Sequence, residues 1–256
     1  MTPAEHAIDL IRQASRIVAL SGAGISTEAG IPDFRGPNGL YNDPGLFAQL
    51  SAGGFARNPV GFYQAGLKLF PNITRAKPTV AHHLLSRLEQ QRKLRAVVTQ
   101  NIDGLHQAAG SRTVFEIHGT FRTGHCTGCR TSYEMQAFYE SMQDGSSLPP
   151  LCTRCRAAIK PDLVLFDDVL PPDVWEAAVG VIENSDLLLV FGSSLQVYPA
   201  SELPQCALDR GSRLVIVNLE ETPYDRCAEA VVREKLGSFA GMALAALNLG
   251  PTSLRI

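Results

Sequence analysis

The segment "IVALSGAGISTEAGIPDFRG", residues 17–36, joins a short apolar run to a glycine-rich turn. This order is typical of a buried strand whose carboxyl end turns close to a phosphate, because glycine lets the backbone approach the anion. Gly22 and Gly24 begin the dinucleotide-binding fingerprint, but Thr27 stands where its third glycine belongs. The acidic residue expected about 20 positions later to bind the ribose would be Asp43, which lies in a loop-like stretch. The segment therefore predicts a nucleotide site that is not built for hydride transfer.

Further apolar runs alternate with amphipathic segments along the rest of the chain. The runs predict strands at 16–20, 95–99, 114–117, 186–191 and 213–217, and the segments between them predict helices at 3–15, 79–91, 172–184, 199–210 and 238–249. The runs 187–191 and 214–217 contain no polar residue, which is typical of strands covered on both faces. The sequence thus predicts an α/β fold with a Rossmann-like, doubly wound parallel sheet.

Two stretches interrupt this alternation. Residues 36–78 are rich in Gly, Pro, Asn and Phe, and residues 119–161 contain two cysteine pairs. We interpret them as insertions that form a smaller, metal-binding lobe beside a Rossmann-like domain of residues 1–35, 79–118 and 162–256. A ligand is then expected in the cleft between the lobes, at the carboxyl ends of the strands.

Composition and charge exclude some classes of function. The 256 residues are 45% hydrophobic and 19% charged, with a net charge of −2. A nucleic-acid-binding surface usually needs an excess of basic residues, which this composition does not show. No apolar run approaches the length of a membrane span. Thr2, with Glu5 three residues later, reads as a helix start and not as a signal peptide. We therefore expect a cytoplasmic protein with no membrane or direct nucleic-acid partner.

Four of the six cysteines form two identical C-x-x-C pairs, with 22 residues between the pairs (130–151). Four thiolates at this spacing match the tetrahedral preference of Zn²⁺ and leave no open coordination position, so the predicted zinc is structural. The predicted ligands are Cys126, Cys129, Cys152 and Cys155. A pair of redox-active dithiols or four unrelated core cysteines is the alternative, and the neighbouring His125 could compete as a ligand. Cys206 and Cys227 are interpreted as ordinary partly buried residues.

Polar side chains follow several predicted strands. "TQNIDGLH" (99–106), "IHG" (117–119), "GSS" (192–194) and Asn218 each come at the end of an apolar run. Because the carboxyl ends of parallel strands meet at one edge of a sheet, we expect these groups to converge on one site.

The chain from about residue 17 to about residue 236 resembles the sirtuins. "GAGISTEAGIPDFRG", "TQNIDGLH", "IHG", the paired C-x-x-C, "GSSLQVYPA" and "VN" occur in the family's order. The resemblance implies an NAD-dependent protein lysine deacylase that consumes NAD, releases nicotinamide and transfers the acyl group from lysine to ADP-ribose. Its implied partners are acyl-lysine proteins or peptides. The sequence specifies neither the substrate proteins nor an oligomeric state.

The resemblance also implies which residues contact NAD. Residues of the glycine turn and of 192–194 would lie against the phosphates, Phe34 would cover the ribose, and Ile102 with Asp103 would hold the nicotinamide amide. Asn218 and Leu236 would hold the adenosine end. The full implied set is Gly22, Ala23, Gly24, Thr27, Asp33, Phe34, Arg35, Gln100, Asn101, Ile102, Asp103, Gly192, Ser193, Ser194, Asn218, Leu219 and Leu236.

The implied catalytic residues are His118 and Asn101. His118 would be the general base that deprotonates a ribose hydroxyl, which suits the proton affinity of imidazole near neutral pH. Asn101 would orient the ribose hydroxyls or a water molecule, although Asn101 and Asp103 could also simply cap the following turn. His6, His82, His83 and His106 are interpreted as structural or solvent-facing.

The acyl-lysine is expected between residues 160–166 and 196–199, in an apolar tunnel lined by Val164, Phe166 and Val197. Asp167-Asp168 and Gln196 depart from the family's usual residues here. The resemblance therefore does not indicate which peptide sequences this protein prefers. Family members that favour succinyl- or malonyl-lysine carry an arginine where this chain has Gly66. We therefore expect a preference for neutral acyl groups, with extra room at Gly66 for a longer chain and Lys68 as a weak alternative cation.

Two alternatives to deacylation remain open on the sequence. Protein ADP-ribosylation could start from the same activated ribose, and its products would distinguish it. A non-catalytic NAD-binding scaffold held by zinc is disfavoured because it needs neither His118 nor Asn101.

Overall fold

A computed structural model describes residues 1–33, 44–142 and 147–250. Its strands are β1 (Ile17–Ser21), β2 (Leu94–Thr99), β3 (Val114–Glu116), β4 (Gly119–Cys126), β5 (Ser132–Glu134), β6 (Ile159–Leu163), β7 (Leu187–Phe191), β8 (Arg213–Val217) and β9 (Ala230–Val232). Six of them form a parallel sheet in the order β3-β2-β1-β7-β8-β9. The order reverses between β1 and β7, as in doubly wound nucleotide-binding folds, which confirms the predicted fold class.

The described helices are α1 (Pro3–Gln13), α2 (Pro44–Gln49), α3 (Ala52–Arg57), α4 (Pro59–Gly66), α5 (Phe70–Arg75), α6 (Val80–Gln90), α7 (Leu105–Ala108), α8 (Gln136–Ser141), α9 (Pro172–Glu183), α10 (Leu203–Asp209) and α11 (Leu236–Ala246). The start of α1 is as predicted, since Thr2 and Glu5 form a reciprocal capping box. Helix α10 is shorter than the predicted 199–210 because a separate 3₁₀ turn occupies Ala200–Glu202, and α11 begins two residues earlier than predicted. No described helix is long and apolar enough to cross a membrane.

The unbroken apolar runs are explained by helices on both faces of the sheet. In β1, Ile17 and Ala19 pack into a cluster with α1, α6 and α11, while Val18 and Leu20 face a second cluster with α9 and α10. All five residues of β7 are likewise buried, with alternate side chains in the two clusters. A strand covered on both faces has no solvated side and needs no polar alternation.

A second, antiparallel sheet has the order β5-β4-β6 and packs with α3–α5 and α8 around a third apolar cluster. Aromatic rings fill much of this cluster, including the stacked pair Phe121 and Tyr139 with centroids 3.9 Å apart. The strand β4 ends at Cys126 and therefore connects the end of the large sheet to the cysteine pairs.

Candidate active site

The predicted nucleotide and substrate residues that the structure describes line one cleft of about 1180 Å³. It lies at the carboxyl ends of β1, β2, β7 and β8, next to the reversal of strand order, where the sequence predicts it. Its walls include Gly22, Ala23, Gly24, Thr27, Asp33, Gln100, Asn101, Ile102, Asp103, His118, Val164, Phe166, Gly192, Ser193, Ser194, Val197, Asn218, Leu219 and Leu236. Phe34 and Arg35 fall outside the described residues.

The glycines after β1 pack against the turn after β7. A Cβ at Gly22 would lie 2.8 Å from the carbonyl oxygen of Gly192, and one at Gly24 would lie 2.7 Å from its Cα. Their N–H groups donate to the carbonyls of Phe191 (3.1 Å) and Gly192 (2.9 Å). The N–H groups of these two glycines are therefore already used within the protein, and their contact with the phosphates of NAD stays a prediction.

Other backbone donors remain for an anion. In the described part of the chain, the N–H groups of Ala23, Ser193 and Ser194 have no protein acceptor, and all three residues line the cleft. Main-chain N–H groups in consecutive turns form anion-binding concavities. Gly22 and Gly24 thus serve the site indirectly, by bringing two such turns together.

Buried hydrogen bonds hold the loop after β2. The amide Nδ2 of Asn101 donates to the carbonyl of Gly22 and to Oγ of Ser26, at 3.1 Å each. Asp103 accepts from Ser26 Oγ (2.7 Å) and from the N–H of Leu105 (2.9 Å), so it also caps the following turn, as the alternative interpretation allowed. Burial raises the pKa of Asp103, and these two hydrogen bonds oppose that effect. Ser26 is not among the predicted site residues, although its place in the glycine segment was the available signal.

His118 is placed as a proton acceptor. Its Nδ1 lies 3.0 Å from the carbonyl oxygen of Gln100, so Nδ1 carries the proton and Nε2 keeps its lone pair. Burial lowers the pKa of His118, against the smaller opposing effect of the Gln100 carbonyl. Gly119, with a φ of +76°, lets β6 pass beside the histidine, because a Cβ there would overlap the carbonyl of Asp162. The arrangement gives the cleft a neutral, oriented imidazole base.

The predicted peptide-binding loops border the same cleft. Val164 donates its N–H to the carbonyl of His118 (2.9 Å), which ties the segment after β6 to the backbone of the histidine. Asp168 accepts a hydrogen bond from Lys160 Nζ at 2.6 Å and another from the N–H of Leu165. Asp167 is exposed and has a φ of +72°. The negative charge of Asp168 is thus balanced by Lys160, whereas Asp167 keeps its charge exposed to solvent.

The expected extra room at Gly66 is not there. A Cβ at Gly66 would overlap Cζ of Phe70 and lie 2.5 Å from its Cε2, so the phenyl ring already fills that space. Tyr63 is fully buried and donates its hydroxyl to the carbonyl of Ile159 (2.7 Å). Lys68 is exposed and does not line the cleft. Among the described residues, neither Tyr63 nor Lys68 is placed to pair with an acyl carboxylate.

The four predicted zinc ligands come together. Their Sγ atoms all lie within 4.8 Å of one another, with Cys126 3.3 Å from Cys155 and Cys129 3.5 Å from Cys152. A Zn–S bond of about 2.3 Å gives a tetrahedral S–S edge of about 3.8 Å, so the group fits Zn²⁺. His125 instead bonds Asp162 at 2.6 Å.

Hydrogen bonds from the protein reach the sulfurs of Cys126 and Cys152. The N–H groups of Gly128 and Cys129 approach Cys126 Sγ at 3.3 and 3.4 Å. The hydroxyl of Tyr133 approaches Cys152 Sγ at 3.1 Å, and this bond is the largest cause that lowers the pKa of Cys152 to about 5. The cysteine pairs are therefore arranged as a closed structural metal site.

Comparison with known proteins agrees with this geometry. The Sir2 family model matches residues 22–199. An NAD-dependent protein deacetylase of Thermotoga maritima is 43% identical over 224 residues, 86% of this chain and 89% of the relative. A structure of Sir2 with a p53 peptide and NAD⁺ superposes with a TM-score of 0.88 at 38% identity, covering 98% of this chain and 100% of that one. A Sir2 structure with a deacetylated p53 peptide and 3′-O-acetyl ADP-ribose gives 0.88 at 40% identity, covering 94% and 97%. The chain belongs to the Sir2 family.

Proposed function

We propose that this protein is an NAD-dependent protein lysine deacetylase. The observation that carries the proposal is the position of His118, which lines the same cleft as the loops after β1, β2 and β7 and has its Nδ1 bonded to the Gln100 carbonyl. Acyl transfer to a ribose hydroxyl requires a base that removes the hydroxyl proton, and His118 is a positioned candidate for it. The named activity of the relatives and the peptide, NAD⁺ and acetyl ADP-ribose in the related structures support the same assignment.

NAD fits the donors of the cleft, and when bound it supplies an activated ribose carbon from which nicotinamide leaves. We assign the phosphates to the backbone N–H groups of Ala23, Ser193 and Ser194, and the nicotinamide amide to Ile102 and Asp103. The assignment rests on the unused donors of the turns and on the buried, hydrogen-bonded position of Asp103. Asn218, Leu219 and Leu236 would hold the adenosine end, where Leu236 begins α11.

His118 accepts the proton of a ribose hydroxyl through Nε2 in this proposal. Its Nδ1 hydrogen bond fixes the tautomer, and its lowered pKa keeps the ring neutral near physiological pH. Asn101 has committed both amide hydrogens to Gly22 and Ser26, so its Oδ1 is the atom left to orient a hydroxyl or a water.

The acyl-lysine peptide would lie between residues 160–166 and 196–199. Val164, Phe166 and Val197 offer apolar contacts to the lysine stem and acyl chain. Extended peptides are bound mostly by main-chain hydrogen bonds, and this mode of binding tolerates many peptide sequences. The apolar walls favour acetyl and other neutral acyl groups, because an acyl carboxylate would lose water there without gaining a cation.

The zinc holds structure and takes no part in the chemistry, since four sulfurs close its coordination shell.

We further propose the division into a Rossmann-like domain and a smaller lobe of residues 36–78 and 119–161, which the separate third apolar cluster supports. Reduced cysteines as metal ligands favour the cytoplasm as the place of action.

The test is to incubate the protein with NAD and one acetyl-lysine peptide and to identify every product by mass. The expected products are the deacetylated peptide, nicotinamide and O-acetyl-ADP-ribose in equal amounts. The same peptide without the acetyl group is the control and should give none of them. A peptide that gains ADP-ribose would instead indicate an ADP-ribosyltransferase, and NAD binding without any product would indicate a scaffold.

A further inference from the structure

The first turn of α11 has no capping side chain of its own. The residue before the helix is the exposed Lys235, whose side chain makes no capping hydrogen bond, and the first turn contains no acidic residue. A lysine ammonium group has no acceptor atom, so it cannot satisfy the free N–H groups of a helix start. The positive end of the helix dipole also lies there, where an anion is favourable and a cation is not. This helix start therefore needs an acceptor from elsewhere in the chain.

Glu28 supplies that acceptor from the glycine segment. Its Oε2 accepts the N–H of Gly237 at 2.7 Å, across 209 positions of sequence. Gly237 is the second residue of α11, a position whose N–H a capping side chain ordinarily binds. Arg75 and Lys77 line a neighbouring cavity together with Glu28, but no ion pair joins either of them to it in the ranges that the structure describes. The hydrogen-bond partner of this carboxylate is therefore the helix.

Gly237 leaves the room that the carboxylate occupies. A Cβ at position 237 would lie 2.6 Å from Oε2 of Glu28 and 2.9 Å from its Oε1, and its three nearest atoms would all belong to Glu28. These distances are well inside van der Waals contact, so a larger residue would push the flexible glutamate aside. Glycine within a helix ordinarily costs stability, and a close approach of this kind is a reason to have it.

The hydrogen bond joins two segments that we assign to NAD. Glu28 belongs to the short 3₁₀ turn Thr27–Ala29, in which Thr27 is a predicted NAD contact. Gly237 directly follows Leu236, which we assign to the adenosine end. Glu28 and Leu236 both line the cleft. The contact therefore spans the adenosine half of the cleft and lies one residue away from an expected ligand contact on each side.

The body of α11 is anchored without Glu28. Phe239, Ala240 and Ala243 are buried in the apolar cluster with α1 and α6. The ring of Phe239 packs edge to face on Phe191, with centroids 5.9 Å apart. Leu236 packs into the same cluster, so the cap adjusts the first turn and does not carry the helix. Loss of the cap should then leave the fold intact and loosen only the start of α11.

We propose that Glu28 is a positioning residue for NAD, which caps α11 from the glycine segment and holds Leu236 at the adenosine site. Glu28 acts through the backbone of Gly237 and takes no part in the chemistry. Its effect on NAD binding rests on the proposed function, whereas the cap itself does not.

A double-mutant cycle on thermal stability tests the cap. Glu28→Ala removes the acceptor and should lower the melting temperature by about 2–4 °C, the scale for a lost helix cap in a chain of this size. Gly237→Ala displaces the acceptor, so the usual gain from replacing a helical glycine should be lost. In the Glu28→Ala background that gain should return, because no carboxylate is left to displace. The same effect of Gly237→Ala in both backgrounds would refute the cap.

Two variants serve as matched controls for this cycle. Gly241 lies in the same helix, and a Cβ there would have no heavy atom within 4 Å, so Gly241→Ala should be equally stabilising in both backgrounds. Glu221 is exposed and does not line the cleft, so Glu221→Ala removes the same charge without touching a cap and should change little. Glu28→Gln keeps an acceptor oxygen and should recover most of the stability lost in Glu28→Ala.

Ligand binding and kinetics separate the positioning role from stability. We measure the Kd of ADP-ribose by calorimetry, and kcat and KM with an acetyl-lysine peptide, on proteins of matched zinc content. Glu28→Ala should raise the Kd of ADP-ribose and the KM for NAD by about 3- to 10-fold, the scale for ordering one side chain on binding. The kcat and the KM for the peptide should stay within about twofold, because His118 and the peptide loops are unchanged. Glu28→Gln should bind ADP-ribose within about twofold of the parent.

The outcomes distinguish this inference from the proposed function. Unchanged ADP-ribose binding in Glu28→Ala would overturn the positioning role, and so would tighter binding, which would show that the carboxylate only repels the phosphates. A parent protein that binds ADP-ribose without any acyl transfer would refute the proposed function alone, since the ADP-ribose affinities still decide the role of Glu28. A parent protein that does not bind ADP-ribose would refute both.

Discussion

Gly66→Ala should destabilise the protein although the substitution is made in a helix. Gly66 ends α4, and a Cβ there would overlap Cζ of Phe70 and lie 2.5 and 2.8 Å from its Cε2 and Cε1. The ring cannot easily move aside, because it packs against Phe121 and Tyr139 with centroids 5.0 and 4.9 Å away. A new methyl group must therefore displace a close-packed aromatic cluster.

The magnitude follows from two opposing effects. Overpacking a core by a methyl-sized group costs about 1–3 kcal/mol. Replacing a helical glycine by alanine returns up to about 1 kcal/mol. With the full gain returned, the net loss is about 0–2 kcal/mol, which corresponds to a melting temperature lower by up to about 8 °C for a chain of this size.

The expected loss of stability is measured by thermal unfolding of Gly66→Ala beside a matched control variant. Gly180 lies inside α9, and a Cβ there would have no heavy atom within 4 Å, so Gly180→Ala should raise the melting temperature slightly. Adding Phe70→Leu to Gly66→Ala should recover part of the loss. A Gly66→Ala protein as stable as Gly180→Ala would refute the inference that Phe70 fills the space at Gly66.

Three further predictions concern the metal and the substrate. Cys126→Ser and Cys152→Ser should each lower zinc content and melting temperature together, because metal binding contributes folding free energy, whereas Cys227→Ser should change neither. A native protein without zinc in elemental analysis would contradict this. At low salt the parent should prefer acyl-lysine flanked by Lys or Arg by about 2- to 5-fold, and Asp167→Asn should reduce this preference. Asp168→Asn should have a smaller effect, because the carboxylate of Asp168 is already paired with Lys160. Equal rates of the parent protein on peptides with acidic and with basic flanking residues would contradict the expected charge preference. Acetyl-lysine should exceed succinyl-lysine by more than about 10-fold in kcat/KM on one peptide, because burying an unpaired carboxylate is costly. A succinyl peptide that matches the acetyl peptide would overturn that preference.

The sheet and the position of the site could be predicted because their signals are local. Buried parallel strands such as β7 are unbroken apolar runs, and the polar residues after each run must meet at one sheet edge. The strand β9 was missed because it is three residues long and contributes no run of its own. The strand β4 was missed because its sequence, GTFRTGHC, does not alternate.

The helices within residues 36–78 could not be predicted, because glycine signals turns in a sequence. Here the glycines permit close helix contacts. A Cβ at Gly54 would lie 2.5 Å from the carbonyl oxygen of Gln49, and one at Gly61 would lie 2.6 Å from Nδ2 of Asn58. Gly54 lets the end of α2 lie against α3, and Gly61 leaves room for the capping side chain of Asn58, so both glycines belong to helices although their residue type favours turns.

The same limit applies inside the site. Gly22 and Gly24 match a phosphate-binding turn in sequence, yet their N–H groups bond to residues about 170 positions away. Ser26 gains its partners Asn101 and Asp103 only from the tertiary fold. Residue types therefore predicted the cleft, while the hydrogen bonds that hold it required the structure.

The central claim is acyl transfer from lysine to ADP-ribose with His118 as the base. The most direct measurement is the rate of O-acetyl-ADP-ribose formation from NAD and an acetyl-lysine peptide, for the parent protein and for His118→Ala with matched zinc content and melting temperature. The parent should form this product in step with deacetylated peptide. The variant should be slower by about 100-fold or more, the scale for loss of a general base. A folded His118→Ala protein that forms the product at the parent rate would contradict the account.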